Sequence, residues 1–192
     1  MNNTINIIGF TGSLRRNSYN KAALRAAKEL LPADAILEIV DIALIPFFNE
    51  DLEVEGNPPS VVAFKNKLSS ADAILISTPE YNYSIPPALK NALDWASRGT
   101  DLPLNGKPLA IMSASPSIFG GIRVQYHLRQ VCVGLNLLPV NKPEVFITKA
   151  NMKFDLDGKL INEHSRDSIS KLLKVLVNNA RELKKNKEQF KD

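Results

Sequence analysis

The sequence predicts an α/β fold in one domain over residues 1–192: a doubly wound, five-stranded parallel sheet of strand order 2-1-3-4-5, with helices on both faces. Three observations predict it. Short apolar runs alternate with stretches of helical periodicity, as β-α-β construction requires. Ile74, Leu75 and Ile76 are apolar in succession, which suits a central parallel strand covered on both faces. Three unusual loops follow strands one, three and four. Right-handed crossovers leave several strand orders open. The doubly wound order is favoured because it sets those loops side by side at the carboxyl edge, beside the switch point, where chemistry belongs.

The elements follow in chain order. Ile5 to Phe10 is the first strand, broken at Thr11-Gly12-Ser13. A helix from about Ser18 to Leu31 carries Ala22, Ala23, Ala26, Ala27, Leu30 and Leu31 on one narrow face, and Pro32 stops it. Ala35 to Val40 is the second strand. The acidic stretch from Asn49 to Ser60, with Gly56, Pro58 and Pro59, reads as a loop. A helix over Val61–Ser69 leads to strand Ala73–Ser77. Thr78 to Ser84 is a loop, and Ser84 is the expected cap of a helix with Pro86 and Pro87 in its first turn. Leu109 to Ser113 is strand four. Val124, Leu128, Val131, Cys132 and Leu135 mark the next helix, and Leu137 to Val140 the fifth strand, which Val145 to Ile147 extends. Asp155 to Gly158 is a turn. A last helix runs from about Ser165 into a basic end.

Composition narrows the function classes. Hydrophobic residues at 44% and charged residues at 23% suffice for a real core. The opening MNNTINIIGFTG lacks the pattern of a signal peptide, and no apolar run approaches the roughly 20 residues of a membrane helix. One cysteine, Cys132, excludes an internal disulfide framework and points to a cytoplasmic setting. The sequons at Asn2 and Asn82 then carry no sugar. A formal charge of +4 is too mild for nucleic-acid binding, and neither nucleic acid nor membrane is an expected partner. Arg181, Lys184, Lys185, Lys187 and Lys191 outnumber Glu182, Glu188 and Asp192 at the carboxyl end, where basic residues complement a helix dipole.

The first loop, Gly9 to Asn20, gathers the groups a terminal phosphate needs: hydroxyls from Thr11, Ser13 and Ser18, the amide of Asn20, a helix amino terminus, and charge from Arg15 or Arg16. A solvent-facing turn followed by a serine cap accounts for the same residues. Gly9-x-x-Gly12 is neither the dinucleotide fingerprint nor the lysine-bearing triphosphate loop. The second loop, Thr78 to Pro87, is extended and bracketed by prolines, and suits the polar rim of a planar ring, with Tyr81 or Tyr83 beside it. Glu80 reads as structural rather than as a general acid. The third loop, Ser113 to Gly121, ends in paired glycines that serve either a ligand's close approach or a sharp turn into a helix. Trp95 packs its helix or an interface, His127 lies on a surface or interface, His164 in a loop, and Cys132 is an inert core thiol. No metal-ligand spacing and no nucleophile–histidine arrangement stands out.

Taken together, Gly12-Ser13-Leu14-Arg15 with Ser18 and Asn20, Pro79-Glu80-Tyr81-Asn82 with Leu89 to Trp95, and Gly120-Gly121-x-Arg123-x-Gln125 resemble the NADPH-dependent FMN reductase family. Tyr126-His127 and Asn141-Lys142-Pro143-Glu144 resemble its bacterial chromate and quinone reductase branch. The likeness covers about residues 4 to 147. It implies a flavodoxin-like fold with non-covalent FMN and with NADPH or NADH as co-substrate. By the same resemblance Ser13, Arg15, Ser18 and Asn20 hold the phosphate, with Thr11 and Tyr19 beside them. Pro79, Glu80, Tyr81 and Asn82 border the ring, and Ser115 and Gly120 close the far side. The family also implies a homodimer, in this branch paired into tetramers through Tyr126 and Glu144. Pro87 and Ser117 stand where the family often has glycine.

The expected activity is an FMN-dependent NAD(P)H oxidoreductase working in two half-reactions, with quinones, azo compounds, flavins or chromate as acceptors and no catalytic side chain. Arg98 and Arg123 are nearby positive candidates for the extra phosphate of NADPH. An FMN-binding electron-transfer module docking a protein partner is the rival, and it would show a strongly one-signed face. A nucleotide-sensing domain without activity is a second.

Overall fold

Side-chain parity along the strands sets the layers. In the computed structural model, which describes residues 4–189 apart from the side chains of 187 and 188, β1 (Ile5–Thr11) turns Ile5 and Ile7 to one face and Ile8 and Phe10 to the other. The sequon at Asn2 and the tail residues Lys191 and Asp192 lie outside the described residues, as do the side chains of Lys187 and Glu188.

The strands are parallel and ordered β2-β1-β3-β4-β5, as expected: β2 is Ala35–Ile39, β3 Ala73–Ser77, β4 Pro108–Ala114 and β5 Leu138–Pro139. A short β6 (Val145–Ile147) pairs with the same edge of β4, Met112 opposite Val145, after β5 has paired with its start at Pro108 and Leu109. The anticipated fifth strand is thus split in two. Pro139 and Pro143 remove amide donors from this edge, which interrupts the ladder.

One face of the sheet is covered by α1 (Tyr19–Glu29) and α6 (Glu163–Gln189). There Ala22, Ala23, Ala26 and Ala27 lie with Leu172 and Leu176 against Leu37, Leu75 and Met112. The small alanines let α1 approach closely. The other face is covered by α3 (Pro59–Ser70), α4 (Pro87–Ala96) and α5 (Ile122–Gly134), which bring Phe64, Leu68, Leu89, Leu93, Leu128 and Cys132 onto Phe10, Ile74, Ile76 and Ile111.

Three readings need correction. The acidic piece read as a loop holds α2 (Glu50–Glu55), and α3 begins within it at Pro59. The Asn49 carboxamide accepts from the Asp51 amide at 3.0 Å, and Glu50, Asp51 and Glu53 occupy the first turn, where the helix dipole favours acids. Ser84 does not cap α4, which starts at Pro87 without any side-chain cap. His164 lies in α6, whose start is fastened by Asn162 accepting from the Ser165 amide at 3.0 Å. Late in α6, Arg181 pairs with Asp34, and Lys184 with Asp72, so part of the basic end neutralises acids at the sheet edge. Among the described residues no helix is long and apolar enough to cross a membrane.

Candidate functional site

The strand register brings the three loops level. Thr11 at the end of β1 lies opposite Ser77 at the end of β3, and Ser77 opposite Met112 of β4. Asn20, in the first turn of α1, fastens these ends together. Its Nδ2 donates to the Ala114 carbonyl at 2.9 Å, and its Oδ1 accepts from the Ala114 amide at 2.9 Å and from the Ser77 hydroxyl at 3.0 Å. Asn20 is only 2% exposed. Its amide was expected to reach a phosphate; what the structure shows it doing is tying α1 to two strands.

An open cleft of about 320 Å³ lies above that tie. Ser13, Arg15, Ser18, Tyr19 and Asn20 form one wall, Pro79, Glu80 and Tyr81 the second, and Ala114, Ser115 and Pro116 the third. Ser18 caps α1: its Oγ accepts from the amides of Asn20 (3.2 Å) and Lys21 (3.3 Å), which leaves its own proton to donate outward. Among the described residues the Ser13 hydroxyl has no hydrogen-bond partner and Arg15 no ion-pair partner, its guanidinium lying 5.3 Å from the Tyr19 ring centroid. Two short hydroxyl donors, a helix start and a free guanidinium therefore share one wall. That donor set fits a phosphomonoester such as the one FMN carries. Three candidates do not line the cleft: Thr11, Asn82 and Gly120. Thr11 supports from below, its Oγ1 accepting from the Ser13 amide at 3.2 Å. Gly12 lets the loop lie on α4, since a Cβ there would stand 2.9 Å from Leu89 Cβ and 3.0 Å from Pro86 Cγ.

The second loop closes on itself. Tyr81 and Ser84 exchange both backbone hydrogen bonds (3.1 and 2.9 Å) around Asn82 and Tyr83, whose φ values are +48° and +66°. This two-residue turn normally selects Asn-Gly, and here a tyrosine holds the second position. Glu80 has a structural carboxylate, in keeping with its reading. Oε2 accepts from the amides of Arg123 (3.0 Å) and Val124 (3.1 Å) at the start of α5, and Oε1 pairs with Arg123 Nη1 at 3.1 Å. The helix amino terminus is thereby filled by the protein's own anion.

In the third loop the paired glycines make a sharp turn. Gly120 and Gly121 have φ of +62° and +85°, and a Cβ on Gly121 would stand 2.8 Å from Ser113 Cβ. Ser113 Oγ donates to the Gly120 carbonyl at 2.6 Å and accepts from Gln125 Nε2 at 2.8 Å, a buried cluster that sequence reasoning missed. Ser117, where glycine is common, has no positive φ, so its side chain costs the loop nothing in backbone strain. Pro87 is the first residue of α4, a position that lacks an amide partner anyway.

The remaining candidates are placed as follows. Arg98 pairs with Glu53 at 2.8 Å and Arg123 with Glu80, so neither is a free cation awaiting the extra phosphate of NADPH. Trp95 is fully buried, its Nε1 donating to the Pro46 carbonyl at 2.8 Å. His127 is exposed, with Nδ1 3.2 Å from Ser84 Oγ. Cys132 is a free, buried thiol pushed up to about 12 by burial. Tyr126 donates to Glu144 Oε1 at 3.2 Å, and the hydrogen bond from Lys142 holds Glu144 below the usual carboxylate range. Among the described residues no group of three or more His, Cys, Asp or Glu is placed to hold a metal.

A second cavity, of about 340 Å³, shares Arg15 and Tyr81 with the polar cleft. Leu14, Ile42, Ile45, Phe47 and Ala88 make it apolar, and the sequence patterns gave no sign of it.

A doubly wound parallel sheet with a phosphate-type cleft at its switch point defines the flavodoxin-like class. The family model of NADPH-dependent FMN reductases matches residues 5–152. An NAD(P)H-dependent FMN reductase of Pseudomonas aeruginosa is 48% identical over 176 residues, covering 92% of this chain and 95% of the relative. A quinone reductase of Escherichia coli K12 is 39% identical over 173 residues, covering 88% and 92%. The solved structure of FerB, a flavoenzyme NAD(P)H:(acceptor) oxidoreductase from Paracoccus denitrificans, superposes with a TM-score of 0.85 at 27% identity, covering 93% of this chain and 98% of FerB. The chain belongs to the NADPH-dependent FMN reductase family, and its activity is that of an FMN-dependent NAD(P)H oxidoreductase.

Proposed function

We propose that the protein passes electrons from NADPH or NADH to quinones through FMN seated in the polar cleft. The observation that carries the choice of acceptor is the apolar cavity meeting that cleft at Arg15 and Tyr81. A flat, uncharged ring loses little on entering walls made of Leu14, Ile42, Ile45 and Phe47. A chromate dianion would shed its water there with Arg15 as the one cationic side chain among the lining residues to offset it. Azo compounds and free flavins share the flat aromatic shape and fall within the same reading.

Ser13, Arg15 and Ser18 hold the phosphate, with Tyr19 and Asn20 completing that wall. The turn at Tyr81 spends its amide on Ser84, which leaves the amide of Glu80 to border the ring beside Pro79 and Tyr81. Ser115 and the loop ending at Gly120 close the far side. The chemistry supplied by bound FMN is two-electron transfer, taken from the nicotinamide as hydride and delivered to the acceptor in a second half-reaction. No side chain of the cleft has to move a proton for the first half-reaction. A homodimer goes with this reading, supported by Leu44 and Phe47 standing 85% and 76% exposed near the cavity mouth, as does a dimer of dimers through Tyr126 and Glu144. So does a cytoplasmic setting, which the unpaired Cys132 favours.

Stopped-flow mixing of the anaerobically reduced protein with benzoquinone and with chromate tests the acceptor. Quinone is expected to reoxidise the flavin at least about tenfold faster. Phe47→Ala is expected to lower kcat/KM for quinone roughly tenfold, equivalent to about 1.4 kcal/mol, with flavin reduction by NADPH unchanged. Faster turnover with chromate, or full quinone turnover in Phe47→Ala, contradicts the proposal.

A further inference from the structure

Arg123 stands outside the cleft, yet the two loops that flank the cleft meet on it. Its guanidinium carbon lies 4.1 Å from the Tyr83 ring centroid and 4.4 Å from the Phe119 ring centroid. Tyr83 belongs to the loop after β3, and Phe119 to the loop after β4. The guanidinium also donates to Glu80 Oε1 at 3.1 Å, while Glu80 Oε2 holds the first amides of α5. The pair is mostly shielded, with side chains 35% and 13% exposed.

The turn that Arg123 contacts needs such a support. Asn82 tolerates its left-handed backbone, but Tyr83 at φ +66° does not favour it, and nothing in the local sequence selects it. Backbone of this kind persists only where surrounding contacts over-determine it. A planar cation between two aromatic faces, with a carboxylate at its edge, supplies contacts that an ammonium group does not reproduce.

We infer that Arg123, seated by Glu80, is a positioning residue: it clamps Tyr83 in the left-handed conformation and so sets Glu80 and Tyr81 at the cleft wall. The consequence for the flavin rests on the reading of the cleft given above; the clamp itself does not.

The test uses the full chain with Arg123→Lys, Tyr83→Gly and the double variant. In flavin-free protein, amide hydrogen exchange over residues 80–85 is expected to speed up about fivefold or more in Arg123→Lys, with β3 and β4 unchanged. In FMN-loaded protein the same variant is expected to bind FMN several-fold more weakly and to shift the flavin midpoint potential. Glycine accepts the left-handed backbone without help, so in the Tyr83→Gly background the lysine change should lose most of its effect. Glu80→Gln keeps an acceptor for the α5 amides but loses the ion pair. It should give the same pattern at smaller amplitude and serves if the lysine variant does not fold. Unchanged exchange over residues 80–85, or an equal effect of Arg123→Lys with and without Tyr83, overturns the clamp. Absence of FMN binding in the unmodified protein would instead overturn the flavin reading and leave the exchange result standing.

Discussion

Asn20 shows how one side chain fixes the floor of the cleft. It satisfies both backbone groups of Ala114 and the Ser77 hydroxyl, all buried. Buried polar groups stripped of a partner cost about 1–3 kcal/mol each. Asn20→Ala should therefore destabilise the fold by about 3 kcal/mol and lower Tm by roughly 6–12 °C, a domain of this size losing about 2–4 °C per kcal/mol. Calorimetry checks it, and an unchanged Tm would deny the tie. At this scale the sequence was partly legible. Ser18 announced itself as a cap because capping is local, two and three residues along the chain. The work of Asn20 was hidden because Ala114 and Ser77 lie 94 and 57 residues away. Glu80 was legible as structural, but its partner Arg123, 43 residues on, was not.

Helices and strands carry the next level. The alanine face of α1 and the apolar run of β3 were legible because periodicity and burial report directly on the sheet. Helix α2 was not, because six residues with three acids in the first turn and no buried side chain give no periodic signal. The end of α4 nearest the cleft was misread in a similar way: Ser84 looked like a cap, yet its backbone closes the Tyr81 turn and its hydroxyl meets His127. Helix α5 presents Tyr126, 50% exposed, beside Glu144, whose carboxyl the hydrogen bond from Lys142 holds below the usual carboxylate range. If this face pairs dimers, Tyr126→Ala should convert tetramer to dimer in sedimentation velocity without loss of bound flavin. An unshifted tetramer, or a wild-type protein that is not a tetramer, would remove that surface from the assembly.

For the molecule as a whole, function follows from strand order. Reversal of the sheet about β1 and β3 opens a crevice at the carboxyl edge, and the loops after β1, β3 and β4 line it. Those loops were legible as a group because each breaks its local pattern; the apolar cavity beside them was not, being assembled from residues 12 to 91 with no shared motif. The polar cleft gathers an arginine and two serine donors, and its one carboxylate is consumed by Arg123. Such a cleft should recognise a phosphate above all else. The direct measurement is titration of FMN and of riboflavin, which lacks the phosphate, into flavin-free wild-type protein and Ser13→Ala/Ser18→Ala. Hydrogen bonds to a charged group contribute about 1.5–3 kcal/mol each, so the wild type should prefer FMN by at least roughly 100-fold and the variant by only a few-fold. Loss of the α1 cap weakens both ligands alike and cancels in the ratio. A variant that keeps the full preference for FMN would place the phosphate elsewhere.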